Sequence, residues 1–538
     1  MRLHNRKFYQ QSPYIFSVCQ KMLYTNKKPL YLNSNKMKKF ALYLTCLCGM
    51  ALQPAVAQVE NENRIEFELR EGYEDHRLAK FGKKGVIMYS RQSEREGMMA
   101  VWKLERFDTN LKLDKDIELR VRANQVLDEA FENETELYLF FKSNRGEYTL
   151  FIVDPLTLQA RQFEGEFPPK TRLYDLKIRG NMAYFDAIVQ KNPAVITINT
   201  ETGQRGITAL SLPKHKSKNL TIVDIQLLEK TEDVFVYIHA LTRKRQEMFV
   251  IKMDPNGKTL HSYNFSAGLE NKISSISASP IGPDEYIFTG TYSSFSSYSS
   301  EGIYIAKVKG EKKEFIKYYN FLDFDEFLNY LPEKKQEKIE KKKSRKEDRG
   351  REMKISYNIA NHDIISLDGK YLFIGEAFYP TYRTESYQTV GPNGVPMMQY
   401  RTVFDGNQYT HATIAGFSTT GDKLWDKTFE MWPSYKPYYR KKFITTSIAG
   451  NKIDLLFINR VKIVSMSFNP SGDVDKKKEI EMLETGNDED VIKRSYANMD
   501  YWYGNNFLAY GNQRIKNKEK EMFNKKRSVF FINKISYK

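Results

Sequence analysis

Residues 248–265 read MFVIKMDPNGKTLHSYNF. Two runs of β-branched, aromatic and long apolar residues flank Asp254-Pro255-Asn256-Gly257, a tetrapeptide whose residue types suit a tight reversal. The stretch reads as a β-hairpin. Working outward, the same arrangement returns seven more times. It stands as MAVWKLERFDTNLKLDKDIEL (99–119), YTLFIVDPLTLQARQF (148–163), AVITINTETGQRGITAL (194–210), IYIAKVKGEKKEFIKYYNF (303–321), TIAGFSTTGDKLWDKTFEM (413–431) and KIVSMSFNPSGDVDKKKEI (462–480). A last copy, SVFFINKISYK (528–538), stops after its first run.

Two further strand-like runs precede each hairpin, for example ELYLFFK (136–142), DVFVYIHA (233–240), YIFTGTY (286–292), YLFIGEAF (371–378) and KIDLLFIN (452–459). Four strands every 40 to 50 residues or so is the period of a propeller blade. The unfinished last copy lacks an outer strand, and NRIEFELR (63–70) supplies a spare one before the first full unit. Pairing the two closes a ring and removes an open sheet edge. The expectation is therefore an all-β fold: a β-propeller of eight four-stranded blades closed by an N-terminal strand, with a short charged helical insertion between blades five and six. The first unit is the least regular, so a count of seven stays open. Two stacked β-sandwiches would not require complementary ends.

One blade carries a more specific text. Ala415-Gly416-Phe417-Ser418-Thr419-Thr420-Gly421-Asp422-Lys423-Leu424-Trp425 resembles the Ala…Thr-Gly…Trp signature of the quinoprotein-like propeller superfamily, and Thr202-Gly203 echoes it. The resemblance implies architecture. Enzymes of that superfamily hold their quinone beside an adjacent cysteine pair, and here Cys19, Cys46 and Cys48 all precede residue 58. No cofactor is expected, and beyond residue 57 thiolate-metal sites, cysteine nucleophiles and disulfides are excluded.

Residues 37–57, MKKFALYLTCLCGMALQPAVA, have a basic start, an apolar stretch shorter than a membrane span and a small-x-small end. They read as a signal peptide cleaved after Ala57, with 1–36 a mis-called, disordered start and 58–538 one propeller domain. The protein is thus expected to be exported, to the periplasm or the cell surface, with no transmembrane span in the mature chain. The whole chain has a formal net charge of +17, but residues 1–57 contain nine basic and no acidic residues, which leaves +8 beyond them. Nucleic acid is not an expected partner.

In a repeat fold, function sits where units depart from the pattern. Four departures stand out: TYSSFSSYSSEG (291–302), residues 322–354, residues 379–411 and WPSYKPYY (432–439). Each joins either strands two and three of a blade or one blade to the next, so strand alternation places all four on one face, above blades five to seven. Aromatic side chains there, with Tyr298, Tyr379, Tyr382, Tyr387, Tyr400, Tyr409, Trp432, Tyr435 and Tyr438 as candidate ligand-binding residues and Phe295 and Tyr439 beside them, suit adhesion to a protein or a glycan of the cell envelope. The same rings could instead pack the insertions onto the propeller. Phe324, Phe327, Leu328 and Leu331 have helical spacing, and residues 333–354 are Lys-rich with i,i+4 pairs such as Glu337/Lys341, a possible contact for an anionic surface.

Catalytic signatures are sparse. His76, His215, His239, His261, His362 and His411 show no metal-binding spacing, and no metal is expected. The turn 254–258 lacks the later ligands of a calcium loop. If the protein is an enzyme, Asp363, Glu376 and Asp405 are the candidate carboxylates of a carbohydrate-active hydrolase or lyase. A non-catalytic binding or scaffold propeller is the leading expectation.

Overall fold

The structure is a computed structural model that describes residues 59–69, 73–228, 231–242, 246–294, 299–390, 393–519 and 526–537. The expected leader at 37–57, the segment 1–36, Phe295 and Tyr298 lie outside the described residues. The strands form eight antiparallel sheets, each with a four-strand path, and these are the blades of a propeller. Seven sheets follow chain order. The eighth joins Val59–Glu68 to Lys526–Tyr537, followed by Asn506–Asn517 and Asp490–Tyr503. In that seam Ile65 faces Ile532 and Phe67 faces Phe530. All eight hairpins lie on the third and fourth strands of their blades, the last completed by the N-terminal strand.

Closure is visible in the packing as well. Buried side chains fall into clusters that each span two consecutive blades. Trp102, Phe141 and Phe151 belong to the cluster joining blades one and two, and Ile458, Phe507 and Phe531 to that joining seven and eight. The last cluster joins Leu508, Phe530 and Trp502 of blade eight to Met88 and Phe107 of blade one. The Trp502 indole donates to the Gly85 carbonyl across the same junction at 3.3 Å.

The hairpin turns share a chemical device. The side chains of Asp108, Asp154, Asn199, Asp254, Ser418 and Asn469, each at the start of its turn, accept backbone N–H groups two to four residues on. Gly472, at φ +85°, lets the turn of blade seven lie flat on Trp425 of blade six. The Trp425 indole donates to the Pro470 carbonyl at 3.0 Å. The tryptophan of the blade-six signature thus locks one blade to the next.

Residues 322–354 depart from expectation in one respect. Helical spacing at Phe324–Leu331 does not give a helix. Phe321 stacks on Phe327 with centroids 4.6 Å apart, and buried Asp426 accepts the backbone N–H groups of Asp325 and Glu326, which pins the segment along the outer strand of blade six. The α-helix, α1 (Glu333–Glu347), begins only after Pro332, its N-cap, since a proline within the helix would remove a backbone hydrogen bond. It has no buried residue, and Glu337 reaches Lys341 at 4.0 Å.

Candidate functional site

The departures do meet on one face. Tyr330 stacks on His411 at 4.1 Å and lies 6.3 Å from Trp432, and Ser300 bridges to Tyr357, whose hydroxyl meets that of Tyr330. The largest departure is no loop. Strands two and three of blade six run on as Lys370–Val390 and Pro396–Phe417, paired from Tyr371↔Phe417 to Val390↔Pro396. Beyond Phe378 and His411 neither the first nor the fourth strand of the blade accompanies them. A two-stranded ribbon therefore leaves the propeller for about 40 Å, at 3.3 Å per residue. The loop 433–438 props its base: Asn407 N–H donates to the Pro437 carbonyl at 2.8 Å and Lys436 pairs with Asp405 at 2.8 Å.

Register sorts the ribbon into two faces. One carries Arg383, Glu385 and Tyr387 opposite Val403, Arg401 and Gln399; Glu385 bridges Arg383 at 2.7 Å and Arg401 at 3.0 Å. These hydrogen bonds lower the Glu385 pKa, Arg383 contributing most. The other face carries Tyr382, Thr384, Ser386, Gln388 and Val390 opposite Phe404, Thr402, Tyr400, Met398 and Pro396, with no charge at all. Tyr382 is 62 % exposed, Tyr400 71 % and Val390 75 %. An isolated two-stranded ribbon is marginal in water, and this one displays apolar surface that, among the described residues, only Tyr438 covers, edge-on to Phe404 at the base.

The aromatic candidates divide accordingly. Tyr379, Tyr382, Tyr387, Tyr400, Trp432, Tyr438 and Tyr439 are exposed. Tyr409 is a correction: it is fully buried, stacked on Phe378 at 4.8 Å, with its hydroxyl donating to the Lys441 carbonyl at 2.7 Å. It belongs to the core between blades six and seven because His411, two residues on, already sits in the four-stranded sheet. Tyr435 packs edge-on to Phe443 and receives a hydrogen bond from Lys441, so it too braces the base.

The three candidate carboxylates do not converge. Glu376 is fully buried and accepts the peptide N–H groups of Phe443 and Ile444 and a hydrogen bond with His362, all near 2.9 Å. It fastens the entry to blade seven. Asp405 is held by Lys436 and Arg383 at the ribbon base, and those partners lower its pKa, Lys436 first. Asp363 alone faces the central channel, 3.4 Å from the Ser277 hydroxyl.

A different set of acids lies there. The first strands line the channel, and several are bulged or broken: at Leu127/Glu129, Leu173/Leu176 and Ile222/Asp224, with gaps in blades five and six. Bulges re-aim side chains. They bring Asp175 within electrostatic reach of both Glu129 and Asp224, and Asp363 within reach of Asp224, with Asp186 on a second strand bonded to the Asp175 N–H at 2.8 Å. Burial, then repulsion from Asp175 and Asp128, pushes Glu129 up to about 7. Burial raises Asp186 to about 6. Burial also raises Asp224, against the pull of its ion pair with Lys177. Sequence reading found Asp363 alone of this set, because the others lie on separate blades at no fixed spacing from it. Among the described residues no group of acids and histidines has metal-holding geometry, and no helix is long and apolar enough to cross a membrane.

No family model matches the chain, and no curated protein matches it. Similar solved structures include a prolyl endopeptidase (8 % identity, 93 % of this chain and 62 % of that chain covered, TM-score 0.36). Others are the β-propeller domain of the Trilobed protease from Pyrococcus furiosus (11 %, 76 % and 95 %, 0.33) and the WD40 domain of SCAP from fission yeast (9 %, 89 % and 98 %, 0.36). This chain spans about 62 % of the length of the prolyl endopeptidase.

Proposed function

We propose that the protein is an exported binding or scaffold propeller that uses its decorated face, above blades five to seven, to hold a protein or glycan of the cell envelope. The carrying observation is the charge-free face of the ribbon, where Tyr382, Val390, Met398 and Tyr400 stand exposed on strands that the propeller core does not need. Uncharged hydroxyls and amides between the rings suit hydrogen bonding to a neutral polymer. Helix α1 adds eight basic and four acidic residues on the same face and offers a salt-sensitive contact with anionic surfaces. The likeness of blade six to quinoprotein-like propellers extends to architecture alone.

Replacing residues 383–403 by Asn-Gly, which joins Tyr382 to Phe404 through a two-residue turn, leaves the blades intact. The shortened protein should keep its Tm within a few degrees and lose cross-linking to isolated envelope and to purified cell-wall glycan. Undiminished cross-linking to both would overturn the proposal. The channel acids favour a second reading, a carbohydrate-active hydrolase with Glu129 as proton donor. Its test is release of reducing ends from envelope polysaccharides: wild type releases them and Glu129→Gln does not, whereas no release by wild type removes the reading.

A further inference from the structure

Blade eight holds a second site, separate from the ribbon. Its strands Asp490–Tyr503, Asn506–Asn517 and Lys526–Tyr537 end on the decorated face, and register sets Arg494 directly opposite Arg514 and Lys516 directly opposite Lys526. Arg514 and Lys516, two residues apart on one strand, point to the same side. Four cations thus form a grid on three adjacent strands, and Lys493, at the bulge between Ile492 and Arg494, adds a fifth. They surround a cleft of about 360 Å³ that Ile515 also lines.

Like charges directly opposite on a sheet destabilise it. Elsewhere in this blade each buried or half-buried cation has its counter-charge: Arg527 pairs with Asp490 at 2.5 Å and Glu66 at 2.8 Å, and Lys534 with Glu62 at 2.6 Å. The five cleft cations have no hydrogen-bond or ion-pair partner among the described residues. The grid is thus left without a counter-charge among the described residues, one that an anionic ligand would supply.

We infer that this cleft binds a multiply phosphorylated group. Two neighbouring guanidinium forks match phosphate oxygens bidentately, and the flanking lysines supply point charges for a second phosphate. The volume suits a headgroup-sized ligand. The same chemistry is offered by a soluble polyphosphate and by the headgroups of an anionic lipid.

Calorimetric titration with inorganic tripolyphosphate, and co-sedimentation with phosphatidylcholine vesicles containing phosphatidic acid, test the assignment on the intact protein. Binding in the first assay alone identifies a soluble source; binding in the second identifies a lipid. Arg494→Ala combined with Arg514→Ala should weaken whichever binding is seen by about tenfold or more, given the strength of charge-assisted hydrogen bonds. A charge-matched control, Lys112→Ala with Lys258→Ala in hairpin turns of the opposite face, should leave it unchanged. The cleft variant should melt no lower than wild type, since the substitution relieves repulsion, so lost binding is not lost folding. Lys526→Glu, which pairs Lys516, should raise Tm and also abolish binding. Absence of binding in both assays, an equal loss in the control, or preference for polygalacturonate over tripolyphosphate would overturn the inference.

Discussion

Arg64 donates to the side-chain oxygen of Asn533 at 2.7 Å, joining residues 469 apart in sequence. The same guanidinium donates to Gln513 and Glu66 and lies 4.7 Å from the Phe531 ring centroid. Its side chain is almost wholly buried, and burial lowers its pKa against the pull of Glu66. Arg64→Ala leaves the side-chain oxygens of Asn533 and Gln513 without this donor at the seam, while Glu66 keeps Arg527, a loss of about 2 kcal/mol. Urea denaturation should show it as a lower midpoint at unchanged slope, because the fold still buries the same surface.

A Cβ at Gly472 would stand 2.5 Å from the Trp425 ring, on backbone already in the left-handed region. Gly472→Ala should therefore cost about 2 kcal/mol. In combination with Trp425→Ala the two losses should sum to clearly less than their separate values, since the clash disappears with the ring. A thermal-melt double-mutant cycle reads this directly; strict additivity would mean the turn does not rest on the tryptophan.

Glu376→Ala should destabilise by about 3 kcal/mol, because the peptide N–H groups of Phe443 and Ile444 lose their buried acceptor. Glu376→Gln keeps an acceptor oxygen and should recover part of that loss. Chemical denaturation of the pair distinguishes this fastening role from an acid–base role, in which the glutamine would abolish turnover with little effect on stability.

Glu129 holds its proton more tightly in the fold than in the unfolded chain, with burial first and then Asp175 and Asp128 raising it from 4.5 to about 7. Its favourable contribution is therefore present below about 4.5 and is lost as pH rises through about 7. Glu129→Gln should match wild type in Tm at pH 4 and exceed it by a few degrees at pH 8. Calorimetry at the two pH values checks the sign.

Local chemistry made the hairpins legible. Alternating apolar residues around Asp108, Asp154, Asn199, Asp254 and Asn469 announce both the strands and the side-chain-capped turns, and the unfinished copy at 528–538 points to the seam at Val59–Glu68. Register is not local. That Tyr409 is core while Tyr400 is exposed depends on where the first and fourth strands stop accompanying the ribbon. Glu376 and His362 look polar and available in sequence, yet the approach of Phe443 turns the acid into a structural acceptor. The channel acids come from four blades, and the blade-eight grid exists only once Arg494 and Arg514 are set side by side. The helical spacing at Phe324–Leu331 misled for a related reason: Phe327, which helps produce it, stacks on Phe321 and meets Tyr357 edge-on instead of lining a helix.

Because Val59–Glu68, among the described residues, forms its ladder with Lys526–Tyr537, that strand must wait during synthesis for the far end of the ring. Until then its hydrogen-bonding edge is open to wrong partners, so a chaperone that shields this segment during synthesis should matter more than one acting on any middle blade. A chain cut short by a dozen residues would stay an unsealed arc with two open sheet edges.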